Sequence, residues 1–476
     1  MIVAPSTVTT GEEFALKIKA LREPYQVPAR AFAGYPRLQG PFNISPRGIH
    51  YMDNAAARWS GALQVEGADG PAEIDVSELT GTFPGDERAI GEVEGFVARK
   101  SGVRFITVTD PATGISATSN PIIATDESQE YQLYWGDIHS QTYFSDGLRC
   151  PEELYHFARY EAFLDIFGMA DHAEWLTDRQ WEYFVAVTND RNVAGQFATI
   201  VGHEWTNSAL GHRNIHYPGD WGPIVRSNRD DPDDLEALFE VAREHDALLI
   251  PHHSANVTMG VNWEGGHEPE HERLVEIHSI WGNSERPAEA GNPLPIMTSG
   301  GEKAGQHVQD ALGLGYRFGF TGGGDIHDGR PGDELHSAQE MPEQYRLLRR
   351  QGIMGVWATE LTREAVFDAL WERRCFATTN VRMPMLFEVN EAFMGQEAPA
   401  HSPRNISVWA ASESPIARVD IVRNGEDWQS REPHERIVQW ELEDEEAGAE
   451  GDYYYARFTR EDGWIGWSSP VWIGRE

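Results

Sequence analysis

The chain has 476 residues, with 39 Lys and Arg against 76 Asp and Glu, a formal net charge of −37. That is too long for one small domain and, at 40% hydrophobic residues, too apolar to remain unfolded. The charge opposes docking on nucleic-acid phosphates or anionic lipid, and two cysteines, Cys150 and Cys375, are too few for a disulfide framework or a Cys-rich zinc module.

Residues 1–10, MIVAPSTVTT, lack the basic and apolar regions of a secretion signal, and no stretch approaches the roughly 20 apolar residues that span a bilayer. The expectation is a soluble, cytoplasmic protein without membrane or nucleic-acid partners. Residues 1–128 read as a β-rich segment: 14–20 and 104–109 alternate apolar and polar side chains, as half-buried antiparallel strands do. Residues 386–476 repeat that character in the short runs 406–410, 418–423 and 453–458, with Asn424-Gly425 as a turn signal. The acidic run 441–450 reads as a solvated loop.

The middle, 129–385, alternates apolar runs with amphipathic helices, the pattern of a βα barrel or doubly wound sheet. Run 131–135 leads into Asp137 and His139. Pro151, followed by Glu152 and Glu153, opens a helix whose one face is Leu154, Phe157, Ala158 and Ala162. Run 163–167 stops just before Asp171-His172, and run 197–201 before His203-Glu204. Pro232 opens an acidic-capped helix to about residue 244, after which 247–250 leads to His252-His253. Runs 274–277 and 316–320 end at His278 and at the GGGDIH string 322–327. In a βα barrel the carboxyl ends of the strands converge on one face, so six apolar runs ending in His, Asp or Glu predict one cup.

Imidazoles and carboxylates without thiolate suit zinc, manganese or iron. So many of them converging without cations would leave carboxylates repelling one another, so a multimetal cluster is the economical expectation. Asp171 reads either as a carboxylate orienting His172 or as a turn cap, and Glu276 either as a site-facing group or as a structural pair. His216, His267, His271, His307 and His336 fall outside the runs and read as ordinary. Trp135, Trp205, Trp263 and Trp281 fit an aromatic pocket or plain core filling. Gly322-Gly-Gly324 would let backbone pass close to metal or substrate, since glycine has no Cβ. No G-x-G-x-x-G opens a helix after a strand, and no G-x-S-x-G elbow occurs.

Residues 137–147, DIHSQTYFSDG, resemble the opening HxHTxxSDG motif of the PHP (polymerase and histidinol phosphatase) superfamily. Residues 169–172, MADH, resemble its second motif, His252 its strand-end histidine, and Asp325-Ile-His327 its closing DxH. With GHEW at 202–205, GHRN at 211–214, PHH at 251–253 and GDIHDGRPG at 324–332, the chain is similar to a branch of that superfamily of unknown function. The resemblance implies a distorted (β/α)7 TIM-like barrel and a trinuclear site. One metal would take His139, Glu204 and Asp325; Glu204 would bridge to a second on His252 and His278; a third would take Asp146, His172 and His327. Gln141 stands where the first motif has its second histidine, a weaker neutral donor, which leaves the count at two or three divalent ions. His252 falls first beyond its apolar run and is the expected ligand, with His253 facing substrate or supporting the site.

Two cations about 3.5–4 Å apart can acidify a bridging water and clamp an in-line displacement. The expected activity is therefore metal-dependent phosphoester hydrolysis with a metal-bridging hydroxide as nucleophile. Arg213, His212 and Arg330 would neutralise phosphate oxygens, although Arg213 and Arg330 read equally well as structural ion pairs. The expected substrate is a small anionic or ester molecule. The same site would serve a non-phosphate ester, lactone or amide, and a non-catalytic metal- or carbohydrate-binding protein is the reading from another class. Loops 260–272 and 288–308 would set specificity.

Overall fold

The computed structural model describes residues 1–21, 58–228, 234–297, 300–327, 329–333, 351–400, 403–445 and 451–474. The helix start at Pro232, His336, Asp328 within the 324–332 motif and the end of the acidic run 441–450 lie outside these residues.

The N-terminal part is β-rich. In strand Glu13–Lys19, Phe14, Leu16 and Ile18 are buried, following the two-residue alternation of its sequence. That strand lies between Ile2–Val3 and Ile90–Val97 in an antiparallel sheet. Two further small sheets complete the segment, and Ile74, Phe96 and Ile106 fill its core. Lys19 joins it to the middle of the chain, its Nζ 3.5 Å from Glu161 Oε2. The indole nitrogen of Trp135 donates to Ser6 Oγ across the same junction.

In the middle, strands Gln132–Asp137, Ile166–Phe167 and Ala198–Thr199 run parallel and side by side, as βα units should. Helix Asp178–Arg191 links the second and third; Thr177 and Gln180 close a reciprocal cap at its start, an arrangement worth about 1 kcal/mol. Its Trp181 and Phe184 are buried, each contributing roughly 1.5–3 kcal/mol. Helix Pro151–His156 begins at the predicted proline and loosens into wider π-type turns over Phe157–Glu161.

The expected (β/α)7 TIM-like barrel is not what these units build. Strands make up 40% of the structure and helical turns 16%, and no closed barrel forms among the described residues. Antiparallel pairings interrupt the parallel wind at two places. Where a helix should follow the third run, strand Val201–Asn207 turns back through Gly211 (φ +86°) into strand Gly211–Tyr217, which pairs antiparallel with it and with Leu248–Pro251. Strand Ile353–Ala358 pairs antiparallel with Gln132–Asp137, and Cys375–Thr378 with Ile353–Ala358. The sheet then passes into the C-terminal strands, including the long Arg404–Arg423, without a break. Leu274–Ser279 and Gly319–Gly322 form a separate parallel pair.

A cleft of about 640 Å³ lies between the N-terminal strands and the opening end of strand Gln132–Asp137, lined by Ser6, Lys17, Trp135, Arg159 and Tyr160 among others. None of the predicted metal ligands lines it. Among the described residues no helix is long and apolar enough to cross a membrane.

Candidate functional site

The parallel trio delivers its motifs to one place. A bridge joins His172 to Glu204 and another joins Ser140 to Ile326, so the ends of the first, second, third and last runs meet. Asp137 locks the outer two: its carboxylate accepts from the backbone N–H groups of His139 and Gly324 and from Ser140 Oγ. Asp171 does the same for the first motif loop, accepting from Thr142 N, Thr142 Oγ1 and Ser145 Oγ. It thereby fixes the loop that carries Gln141 and Asp146 instead of orienting the neighbouring imidazole. Burial pushes both Asp137 and Asp171 up to about 6, against these hydrogen bonds.

At the centre is Glu204. Its Oε1 lies 2.6 Å from His212 Nδ1 and 3.2 Å from His252 Nε2. Its Oε2 lies 3.3 Å from His172 Nδ1 and 3.7 Å from His139 Nε2, and accepts from the Gln141 amide at 3.0 Å. Three groups of side chains could each hold a metal ion, with all ligand atoms of a group within 4.8 Å of one another. They are His139, His252 and Asp325; Glu204, His212, His252 and His253; and Asp146, His172 and His327. The first two share His252 and are buried; in the third, Asp146 and His327 are half-buried. His253 and Asp325 hold φ values of +31° and +45°, a conformation that costs non-glycine residues energy and is retained where a site needs it.

The structure thus brings together His139, Gln141, Asp146, His172, Glu204, His212, His252, His253, Asp325 and His327. His278 is not in any of the three groups; its ring lies 6.0 Å from Trp467. The cause is a β-bulge. Glu276 pairs with Thr321 and His278 with the very next residue, Gly322, so Ile277 is extra and breaks the alternation that would keep 276 and 278 on one side. Glu276 goes inward instead, its Oε2 3.0 Å from His139 Nδ1. Gly323 makes room for it, since a Cβ there would fall 1.9 Å from Glu276 Oε2. Both imidazoles of Pro251-His-His253 belong to the second group.

Arg213 and Arg330 are committed elsewhere. On strand Gly211–Tyr217, His212 faces Glu204 and Arg213 the opposite side, where its Nε meets Glu272 Oε1 at 2.5 Å and its Nη1 donates to Leu210 O. Arg330 is buried with its Nη1 3.3 Å from Asp333 Oδ2. Neither forms an ion pair with a carboxylate of the three groups; every such pair among the described residues is made by histidine.

The charge pattern fits a bound cation. Burial opposes a charged His139, yet Glu276 and Asp325 hold it well above the ordinary imidazole value. Burial likewise works against His172, but Glu204 and Asp146 hold it near 10. Glu204, although buried, stays well below the carboxylate range beside His172 and His252. Burial and the neighbouring His139 push His252 down to about 4. Protons on some imidazoles are thus the countercharge to the carboxylates, and a divalent ion would supply the same charge in their place. His139 Nε2, Asp325 Oδ2, Gln141 Oε1, His252 Nδ1 and His253 Nδ1 are buried with no hydrogen-bond partner among the described residues. Donor atoms left this way suit ligation.

The supporting contacts were only partly legible. Asp137 was visible as a strand-end acid, and Glu276 as one of two alternatives. Thr206, whose Oγ1 lies 2.7 Å from His172 Nδ1, gave no sequence signal beyond its place two residues after Glu204.

A family model described as "Protein of unknown function (DUF3604)" matches residues 154–288 and 300–411. Those segments contain His172, Glu204, His212, His252, His253, Asp325 and His327, while His139, Gln141 and Asp146 precede them. An uncharacterized protein of Chlamydia trachomatis is 28% identical over 394 residues, covering 78% of this chain and 62% of that protein. An uncharacterized protein of Chlamydia pneumoniae is 28% identical over 362 residues, covering 72% of this chain and 57% of that one. The chain therefore spans about three fifths of the length of these relatives. Among solved structures, a two-domain Bacteroides vulgatus protein described as containing a predicted PHP-like metal-dependent phosphoesterase is 14% identical, with a TM-score of 0.36 over 72% of this chain and 96% of that one. A likeness that distant carries no weight for function.

Proposed function

The chain belongs to the DUF3604 family, and we propose that it is a metal-dependent hydrolase of phosphate esters whose motif order follows the PHP superfamily. The observation that carries the reading is the meeting of three ligand groups at one buried carboxylate, Glu204, which faces at least one histidine of each. Two or three divalent ions, of manganese, zinc or iron, would be held by His139, His252 and Asp325, by Glu204 with His212, His252 and His253, and by Asp146, His172 and His327. When bound, such ions supply Lewis acidity, lowering the pKa of water and neutralising anionic oxygens.

The chain's own residues do the positioning. Glu276 accepts the Nδ1 proton of His139 and so turns Nε2 toward Asp325 and Glu204. Thr206 holds the Nδ1 side of His172, leaving Nε2 toward Asp146. His212 and His253, expected to touch substrate, sit instead among the ligating atoms beside Glu204. The Gln141 amide bridges Glu204 and Asp325, at 3.0 and 3.4 Å, keeping two carboxylates apart without adding charge.

The test is metal analysis of the purified chain followed by turnover on a panel of phosphomonoesters, phosphodiesters, carboxylic esters and lactones. The expected result is stoichiometric divalent metal with hydrolysis confined to phosphate esters. Hydrolysis of carboxylic esters or lactones alone would overturn the phosphate assignment, and a chain that retains metal without turning over any member would overturn the assignment as an enzyme.

A further inference from the structure

Resting on the phosphoesterase reading, we infer that the substrate is a monoanionic phosphodiester, one of whose ester arms carries a flat sugar or aromatic group held between Trp175 and Trp281. The three ligand groups open outward at Asp146, His172 and His327, the half-buried end of the cluster. An indole lies beside each imidazole of that end. Trp175 lies 5.4 Å from the His172 ring, and Trp281 lies 6.0 Å from His327 and 6.5 Å from His253.

Both indoles are half-buried and stand on pinned turns. Trp175 ends the short helical turn Ala173–Trp175, where the Glu174 carboxylate accepts from Thr206 N and Ser227 N. Arg226 donates to Ala173 O and Leu176 O on the same turn. Trp281 sits in the tight turn joining Leu274–Ser279 to Gly282–Asn283, and the N–H of its neighbour Ile280 donates to Gly324 O, one residue from Asp325. Rigid aromatic faces beside a polar centre stack flat groups at small entropic cost.

The charge of the substrate is argued from the cations that the described residues place around the cluster. A phosphomonoester dianion is normally gripped by arginine or lysine on its non-bridging oxygens. Among the described residues, only histidines form ion pairs with the carboxylates of the three groups, Arg213 turns away, and the whole chain carries −37. A diester presents one negative charge in place of two. Water's oxygen would form the new P–O bond while the bond to one arm breaks. That arm would leave as an alcohol with one of water's protons, and the monoester product would keep the other or release it to solvent.

The experiment uses the full chain loaded with manganese or zinc, with bis(4-nitrophenyl) phosphate and 4-nitrophenyl phosphate as substrates. Calorimetric titrations with diphenyl phosphate and inorganic phosphate give a readout independent of turnover. The diester is expected to exceed the monoester in kcat/KM by tenfold or more. Trp175→Ala and Trp281→Ala are expected to weaken diphenyl phosphate binding about three- to tenfold more than inorganic phosphate binding, with Trp281→Phe recovering most of the loss. Preference for the monoester, or equal weakening of both ligands, would overturn the inference and leave the phosphoesterase reading standing. If neither nitrophenyl ester is hydrolysed and diphenyl phosphate does not bind, both fail together.

Discussion

The molecule buries two knots of charge, and they are built differently. Around Glu285, the carboxylate accepts from Tyr455 Oη, Arg457 Nη1 and Trp467 Nε1, and Arg457 goes on to Asp420 and Asp427. Each oxygen of Glu285 meets a fixed donor, and the cation is a guanidinium that keeps its charge at any physiological pH. Around Glu204 the partners are imidazoles and an amide, and several facing atoms have no hydrogen-bond partner among the described residues. The first knot ties the C-terminal strands to the turn after Leu274–Ser279. The second is a set of donors whose protons can be exchanged for metal. Burying charge by itself therefore signals nothing about function; what separates the two is whether the pairing is complete without a ligand.

Removing one partner from the complete knot should give the largest effect. Glu285→Ala takes from Arg457 one of its three carboxylates, leaves Tyr455 Oη and Trp467 Nε1 without their acceptor, and should cost about 3–5 kcal/mol in urea unfolding, while metal bound per folded chain stays constant. A loss of metal in that variant would show the two regions to be coupled. Glu204→Gln is the mirror case. It should lower kcat/KM on an aryl phosphodiester by about 10²–10³-fold with a marked fall in metal content, measured by elemental analysis. Glu276→Gln keeps the shape but weakens the hold on His139, and should reduce metal affinity about 10- to 100-fold in competition with a chelator.

The smallest effect separates two histidines by pH. Burial pushes His203 down to about 3, and its Nε2 accepts from Val225 N–H, which requires a neutral ring. Its folded value lies below the ordinary 6.5, so its stabilisation is present above that pH and is lost as pH falls toward 3. His172, near 10, behaves oppositely in the metal-free chain: its contribution is full below 6.5 and fades as pH rises through about 10. Each should change unfolding free energy by at most about 1.4 kcal/mol per pH unit within its window. In denaturant melts at a series of pH values, His203→Gln should make the acid limb shallower without changing the alkaline one, and saturating metal should flatten the alkaline limb.

The sequence made the parallel trio and its strand-end groups readable, because runs 131–135, 163–167 and 197–201 are apolar and stop at His or Asp. The grouping of Asp146, His172 and His327 came from the resemblance to the PHP motifs and not from the runs themselves. The hairpin Val201–Asn207 with Gly211–Tyr217 escaped detection because all fourteen of its strand positions are buried, so no alternation marks it as antiparallel. The roles expected for Arg213 and Arg330 rested on their nearness in sequence to the motifs, which cannot distinguish the two sides of a strand. Nor can sequence show that Ile353–Ala358 would pair antiparallel with Gln132–Asp137, since that register is a tertiary choice.

The slack introduced at Ile277 reaches beyond its own strand. A relative with the same histidines but without that offset would present a different coordination pocket, because the ladder register decides whether an acid or an imidazole faces the cluster. Comparing such proteins by aligned letters would call their centres identical, whereas comparing them by hydrogen-bond register would separate them into distinct chemistries.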